Sequence, residues 1–194
     1  MPRCLARLVV LPAFLWLAPA HADALQDAQR LVTQGQLAQG LAKVEQAIQE
    51  NPKAPAARFL KGVILAEMNK PEEAAEVYQR LIDEFPELPE PYNNLAVIHA
   101  RQQRFEQARE SLEMAILAHP GYATAHENLG DLHARLAAQA YEKSVRLDPA
   151  NAGVRNKLGV ARQLTGSSAQ PVSAPLTDSK SAKSGMAGSA IDGK

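Results

Sequence analysis

Apolar residues recur every three or four positions along most of the chain, the spacing that places side chains on one face of an α-helix. In the stretch Glu73–Asp83 these residues are Ala74, Val77, Tyr78, Leu81 and Ile82. The aromatic share is only 5%, whereas strands are enriched in aromatic and β-branched residues. The pattern therefore predicts an all-α protein.

Short polar segments interrupt this pattern where helices are expected to end. They are Thr33–Gly35, Met68–Pro71 and Arg101–Arg104. Gly35 fits a left-handed residue that ends a helix, and Pro71 fits a first helical turn, where no amide donor is needed. These segments predict helices joined in pairs, and a lone pair cannot bury its apolar face, so the pairs must stack.

An internal repeat indicates that the pairs are equivalent units. Four columns of residues keep the same spacing of 34, 34 and 29 positions. They are prolines at Pro52, Pro86, Pro120 and Pro149; small residues at Gly62, Ala96, Gly130 and Gly159; small residues at Gly40, Ala74, Ala108 and Ala137; and larger ones at Val44, Tyr78, Leu112 and Tyr141. Such self-similarity indicates a repeat architecture.

Two short patterns carry a resemblance to a known repeat family. Asn94-Leu95-Ala96 and Asn128-Leu129-Gly130 match a first-helix pattern, and Ala108, Leu112, Ala115 and Pro120 match a second-helix pattern. Over about residues 23–164 the chain resembles the tetratricopeptide-repeat (TPR) family, whose period is about 34 residues. The resemblance implies a right-handed TPR helical solenoid of about eight helices. Arg58 and His126 depart from it, because they stand where the family often has large apolar residues.

The fourth repeat lacks the residues that should form its turn. His99 and Ala108 are nine positions apart, whereas the equivalent His133 and Ala137 are four apart. The stretch Ala134–Lys143 contains no Gly, Pro, Asn or Asp and has strong helix propensity. We therefore expect the fourth repeat to be fused into one long helix over residues 123–147.

These observations predict a folded domain followed by a tail. The predicted TPR domain covers residues 23–165, with repeats at about 23–54, 55–88, 89–122 and 123–151 and a capping helix at 152–164. From position 166 to position 194, most of the sequence is Ser, Ala, Gly or Pro, and no aromatic residue occurs. Such a composition cannot bury enough apolar surface to fold, so a disordered tail is predicted there.

The amino terminus has the layout of a secretory signal peptide. Arg3 and Arg7 precede the apolar run Leu8–Leu17, and Ala20-His21-Ala22 follows as a cleavage site. The alternative is a membrane anchor, but the run is about half the ~20 residues that span a bilayer. Residues 1–22 are predicted to be removed on export, to the periplasm if the host is Gram-negative. Removal would take Cys4, the single cysteine, so no disulfide is expected.

Catalytic and metal-binding chemistry is not expected from this sequence. It contains no phosphate-binding glycine loop, no His-Glu-x-x-His and no Gly-x-Ser-x-Gly motif. His126 and His133 lie near Glu127 and Asp131, which leaves an independent metalloprotein as an alternative. His99 and His133, however, share a column with Leu31 and Leu65 and are interpreted as packing residues. The sequence predicts no enzyme, no cofactor and no metal site.

The resemblance implies that the first helix of each repeat lines a concave groove that binds a protein or peptide partner. Carried over by column, the candidate groove residues are Phe59, Val63, Glu67, Glu90, Asn93, Val97, Arg101, Glu127, Asp131 and Arg135. Phe59 is the expected anchor, because large aromatic residues dominate many interfaces. The alternatives are that these are plain solvated faces, or that Phe59 packs inside the solenoid.

Charge and fold together narrow the class of partner. With 21 basic and 21 acidic residues, the chain has no global field to attract nucleic acid, and no stable membrane insertion is expected after cleavage. The favoured hypothesis is an adaptor or assembly factor for cell-envelope proteins. An accessory subunit of an envelope enzyme and a structural homo-oligomer, in which helix 123–147 pairs between subunits, remain alternatives, and the sequence leaves the oligomeric state open.

Overall fold

The structure, a computed structural model, describes the backbone of residues 20–166 and the side chains of residues 24–166. Within these residues it contains eight helices and no strand, which confirms the predicted all-α solenoid. They are α1 (Ala20–Thr33), α2 (Leu37–Glu50), α3 (Pro55–Glu67), α4 (Pro71–Glu84), α5 (Pro89–Arg101), α6 (Phe105–Ala118), α7 (Ala123–Leu147) and α8 (Ala152–Gly166). The predicted leader as far as residue 19 and the predicted tail from residue 167 lie outside the described residues.

The helices stack in chain order. Each packs against the next, and α1 with α3 and α5 with α7 make further contacts between first helices of neighbouring repeats. The first helices of repeats one to three are α1, α3 and α5, and their second helices are α2, α4 and α6. The first helix of the fourth repeat is the start of α7. Contacts between near neighbours in sequence are what define a solenoid.

The turn inside each of the first three repeats has one repeated geometry. Gly35, Asn69 and Gln103 stand at equivalent positions of successive repeats, and all adopt left-handed φ values of 72°, 58° and 60°. The amide of the next residue reaches back to the carbonyl five residues earlier, as in Lys70 N to Leu65 O at 2.9 Å. This pattern is the Schellman motif that ends helices, so the sequence prediction for Gly35 is confirmed.

The loops between repeats are also equivalent to one another. Each has four residues, with the proline of the repeat column in second place, at 51–54, 85–88, 119–122 and 148–151. A hydrogen bond from the fourth amide to the first carbonyl closes the turn, for example Leu88 N to Phe85 O at 3.1 Å. Pro55 and Pro89 then begin α3 and α5, where the missing amide costs nothing.

The fourth repeat is a single helix, as predicted. α7 runs from Ala123 to Leu147 without a break. Its carboxyl-terminal half packs against α8, where Ala138, Leu158 and Ala161 form a small core with Tyr141 and Val145. These two elements form a helical hairpin, which we call the α7–α8 hairpin and define as residues 137–166.

The missing turn overturns part of the packing interpretation of the repeat columns. A Cβ on Gly62 would lie 2.5 Å from Tyr78 Cε1, but a Cβ on Gly130 or Gly159 would have no atom within 4 Å. His133 is exposed rather than packed, whereas His99 is half-buried. For Gly130 and His133 the reason is that the fourth repeat has no second helix of its own folded back onto the first half of α7, and Gly159 lies on α8, the last helix that the structure describes.

Candidate functional site: a concave cavity between α3 and α5

A cavity of about 460 Å³ opens on the first helices of repeats two and three. Its lining residues are Gly35, Leu37, Val63, Ala66, Glu67, Asn69, Tyr78, Asn94, Val97, Ile98 and Arg101. Four of the ten predicted groove residues, Val63, Glu67, Val97 and Arg101, therefore lie together on one surface. They occupy equivalent positions on α3 and α5, since Val97 and Arg101 each follow their counterpart by one repeat period.

The walls of the cavity are apolar, and an arginine lies at its edge. Val63 and Ile98 are buried at 7% and 4% exposure, and Val97 is half-buried. Arg101 is exposed at the end of α5. A pocket of this size, largely apolar and with a few polar groups, is the usual form of a recognition site.

A smaller depression of about 80 Å³ lies on the other side of α5. Val97 and Arg101 line it as well as the larger cavity, so α5 forms a ridge between the two. Asp131 and Arg135 on α7 contribute the opposite wall. The predicted row of groove residues thus continues from α3 through α5 to α7.

Phe59 does not line this surface, and its assignment as the anchor is wrong. Its side chain is 3% exposed, and its ring lies 5.7 Å from the Tyr78 ring, centroid to centroid, at 47°. It belongs to the core cluster that also contains Leu65 and Leu95. The second helix α4 covers this part of α3, so the apolar character of Phe59 serves folding.

Three other predicted groove residues also lie elsewhere. Glu90 and Asn93 are buried on α5, at 3% and 0% exposure. Glu127 is exposed on α7 but lines neither cavity. The groove prediction is wrong for Glu90 and Asn93, because neighbouring helices cover the first turn of α5, and it stays a prediction for Glu127.

A chain of hydrogen bonds runs beneath both cavities. Asn94 Nδ2 donates to Tyr78 Oη at 3.1 Å, Asn93 Nδ2 to Asn94 Oδ1 at 3.4 Å, and Asn128 Nδ2 to Asn93 Oδ1 at 2.7 Å. The chain joins α4, α5 and α7, and it holds Tyr78 and Asn94 at the wall of the larger cavity. The sequence contained a signal for it, because Asn94 and Asn128 stand one repeat apart in the same column.

Burial determines the protonation state of Tyr78, which lies at one end of this series of hydrogen bonds. Desolvation raises the pKa of Tyr78, with the nearby Glu67 carboxylate adding to the rise and the Asn94 hydrogen bond opposing it. Tyr78 therefore remains a neutral phenol at physiological pH. Burial likewise lowers the pKa of His99, helped by the charge of Arg104. His99 is half-buried, in keeping with the packing interpretation of its column.

Among residues 24–166, no three His, Cys, Asp or Glu side chains are grouped as metal ligands. His126 instead makes a hydrogen bond through Nε2 to the carbonyl of Pro120 at 2.9 Å. No helix within residues 20–166 is long and apolar enough to cross a bilayer.

Comparison with solved structures places the fold among known helical-repeat proteins. A TPR protein from Thermus thermophilus is 23% identical with a TM-score of 0.57, over 75% of this chain and 83% of that one. PilF of Pseudomonas aeruginosa is 22% identical with a TM-score of 0.55, over 78% of each chain. The first TPR domain of Spaghetti (RPAP3), solved with an HSP90 peptide, is 14% identical with a TM-score of 0.55, over 60% of this chain and 93% of that one.

Sequence comparison gives the family directly. No curated protein matches the chain significantly. Two tetratricopeptide-repeat family models match residues 20–89 and 65–136, which together cover the first three repeats and the start of α7. The chain belongs to the tetratricopeptide-repeat family.

Proposed function

We propose that the chain is an exported adaptor or assembly factor for cell-envelope proteins that binds a segment of its partner in the concave cavity between α3 and α5. The TPR fold is typically a protein-interaction scaffold without catalysis, and we assign no enzymatic step to this chain. The observation that carries the proposal is the cavity itself. A solenoid can fold without an open apolar recess, so the half-buried Val97 in its wall is best explained by a ligand.

The lining of the cavity defines the chemistry of the bound segment. The walls formed by Val63, Ala66 and Val97 accept an aliphatic or aromatic side chain. Arg101 is exposed and, among the described residues, is not seen to make an ion pair. Its guanidinium can pair with a carboxylate of the partner, which fixes the orientation of the segment. An apolar residue with an acidic neighbour next to Arg101 therefore fits, while the carboxylate of Glu67 lines the same cavity at the equivalent position on α3.

A structural neighbour supports this mode of binding. The solved TPR domain of Spaghetti (RPAP3) is bound to the HSP90 peptide SRMEEVD. At 14% identity the likeness concerns the fold, so the identity of the peptide is not carried over. What supports the proposal is that this helical architecture accommodates an acidic peptide.

The binding proposal is tested by two charge-reversal variants, one in the cavity and one on the outer surface of the solenoid. Arg101→Glu reverses the charge in the cavity, and Arg80→Glu makes the same change at an outward position on α4 that is 72% exposed. Capture from envelope extract with wild type and both variants should lose a partner with Arg101→Glu alone. Melting temperatures of the three proteins should stay close, because both arginines are exposed and like-charge neighbours on a helix surface cost only about 0.2–0.5 kcal/mol per pair. Equal capture by Arg101→Glu and wild type would contradict the cavity assignment.

Export is tested separately. Arg3, Arg7, the apolar run and Ala20-His21-Ala22 support removal of residues 1–22. Intact mass of the protein recovered from its native compartment should correspond to a chain beginning at Asp23. A chain that retains Met1 would contradict export by this route and would leave the binding test unaffected.

A further inference from the structure

The long helix α7 has two faces whose equivalents in the preceding repeats are buried. In repeats two and three, the second helix packs its small and large column residues against its own first helix. Ala74, Tyr78 and Leu81 are 0–1% exposed, and Ala108, Leu112 and Ala115 are 0–2% exposed. The equivalent residues of the fourth repeat are Ala137, Tyr141 and Ser144, and all three are only half-buried.

The face of the first half of α7 that would receive a second helix is also uncovered by the residues that the structure describes. Gly62 of repeat two receives the ring of Tyr78 so closely that a Cβ there would be 2.5 Å from Cε1. Gly130 occupies the same column, and a Cβ there would have no atom within 4 Å. His133, one turn further along, is exposed. The fourth repeat thus has both the tyrosine and the glycine that form this contact, but leaves them apart.

The two faces cannot meet within one chain. Gly130 and Tyr141 are eleven positions apart on a continuous helix, which places them about 16 Å apart along its axis. Bringing them together requires the turn that the sequence lacks. A helical hairpin that has lost its turn can instead be completed by exchange between two copies, since a shortened hinge favours domain swapping.

From this geometry we infer that the chain forms a two-fold dimer in which the α7–α8 hairpins are exchanged. Two copies of α7 pack antiparallel, with the axis passing near Arg135. The partner subunit's Tyr141 lies against Gly130, as Tyr78 lies against Gly62, and the same contact is made in reverse. Leu147, which is 79% exposed, is covered next to the first half of α7 in the other copy. Such an interface is isologous and closes on itself, so it stops at two copies.

The charges of the two parts are complementary. The α7–α8 hairpin, residues 137–166, carries five Lys or Arg residues and two Asp or Glu residues, a net charge of +3. Residues 24–136 carry 11 basic and 16 acidic residues, a net charge of −5. A basic hairpin from one copy therefore docks on the acidic solenoid of the other. The shape match at Gly130 is what favours a second copy over an unrelated acidic partner. The cavity between α3 and α5 is not part of the interface and stays open in the dimer.

The first test restores the missing turn. Inserting Gln-Gln-Arg-Phe-Glu, a copy of residues 102–106, after Arg135 regenerates the spacing of repeat three. Sedimentation velocity at about 10 and 100 μM chain should give a dimer for wild type and a folded monomer for the insertion variant. A wild-type monomer at both concentrations overturns the inference. So does an insertion variant that dimerises as tightly as wild type.

The second test stands even if the insertion variant fails to fold. In a chain beginning at Asp23, which has no other cysteine, Gly130→Cys is combined with Tyr141→Cys. Because an intrachain disulfide needs Cα atoms within about 7 Å, oxidation can link this pair only between two chains. The matched control combines Gly130→Cys with Lys143→Cys, which moves the second thiol to an exposed position on another side of α7. A covalent dimer on non-reducing gels should form with the first pair and be at least several-fold weaker with the second. Equal yields from both pairs, or none from the first, overturn the exchanged arrangement.

Discussion

The ring of Tyr78 in α4 lies directly against the backbone of Gly62 in α3, so that a Cβ on Gly62 would be 2.5 Å from Cε1 and 2.8 Å from Cζ. Tyr78 cannot move away from this contact. Its ring packs against Phe59, its hydroxyl accepts a hydrogen bond from Asn94, and it is 1% exposed. The closeness of the two helices in repeat two therefore depends on the absence of a side chain at position 62.

Gly62→Ala should destabilise the protein in spite of the better helix propensity of alanine. Overpacking a buried contact typically costs about 1–3 kcal/mol, and the gain in propensity offsets about 1 kcal/mol. We expect a net loss, measured as a lower midpoint in urea unfolding. Gly159→Ala is the control, because a Cβ there meets no atom within 4 Å, and it should raise stability by about 0.5–1 kcal/mol. Equal effects of the two changes would contradict the close packing at Gly62.

Gln103 offers a stabilising change. It adopts a φ of 60° at the end of α5, a conformation that costs an L-residue other than Gly or Asn about 1–2 kcal/mol. Gln103→Gly should remove this strain, partly offset by the entropy of glycine in the unfolded chain, and should raise the melting temperature by about 2–4 °C. The reciprocal change Gly35→Ala should lower the melting temperature, because Gly35 has a φ of 72°. A Cβ there would meet no atom within 4 Å, so the loss would come from backbone strain and not from a clash. A fall in melting temperature with Gln103→Gly would show that its side chain stabilises the turn.

Arg58 and Glu84 give the protein a specific pH dependence. The Arg58 guanidinium binds both oxygens of Glu84, with Nη1 to Oε2 at 2.6 Å and Nη2 to Oε1 at 2.8 Å. This hydrogen bonding lowers the pKa of Glu84; desolvation opposes the shift, and the charges of Arg58 and Lys53 add to it. Because the folded-state pKa is below the unfolded one, the pair stabilises the fold above about pH 5 and loses its effect as pH falls through the folded-state pKa.

Arg58→Met, which keeps the apolar stem, should therefore lower the melting temperature at pH 7, and the deficit should be smaller at about pH 2, because protonation of Glu84 as the pH falls through its folded-state pKa removes the pair. Arg80→Met is the control, since Arg80 and Glu76 are 3.7 Å apart and 72–73% exposed, and exposed pairs contribute little. Thermal unfolding of the three proteins at both pH values decides the matter. A deficit of the Arg58 variant that is the same at both pH values would assign the effect to packing alone.

The sequence predicted the long helix because its cause is local. Five residues are missing between His133 and Ala137, no turn-forming residue remains, and α7 runs unbroken from Ala123 to Leu147. The turns were predictable for the same reason, at Gly35 above all. The repeat period, however, fixes only which residues are equivalent; the columns it gave for Val63, Val97 and Arg101 do line one cavity.

What the period could not predict is how much of each column a neighbouring helix covers. Phe59 is four residues before Val63 on α3, yet α4 covers the former and leaves the latter at the cavity. Glu90 and Asn93 are buried for the same reason on α5. Coverage depends on the angle at which consecutive repeats stack, which is a property of the assembled solenoid and not of any one helix.

Asn93 is the residue on which the hydrogen-bond chain beneath the cavities depends. It is 0% exposed, and it joins α5 to α7 by accepting a hydrogen bond from Asn128 Nδ2 at 2.7 Å. Asn93→Ala leaves the amide of Asn128 without this acceptor, and an unsatisfied polar group near the core costs about 1–3 kcal/mol. We therefore expect Asn93→Ala to lower the free energy of unfolding by about this amount.

A double-mutant cycle separates the hydrogen bond from the packing of Asn93. Asn128→Ala removes the donor, and in the double variant neither partner is left unsatisfied. If the bond couples the two helices, the loss in the double variant should be smaller than the sum of the single losses by about 0.5–3 kcal/mol. Asn156→Ala, at an exposed position on α8, should be additive with Asn93→Ala and controls for nonspecific effects. Additivity of Asn93→Ala with Asn128→Ala would mean that the bond contributes nothing, and that α5 and α7 are held together by the apolar contacts around Tyr92 and Leu132 alone.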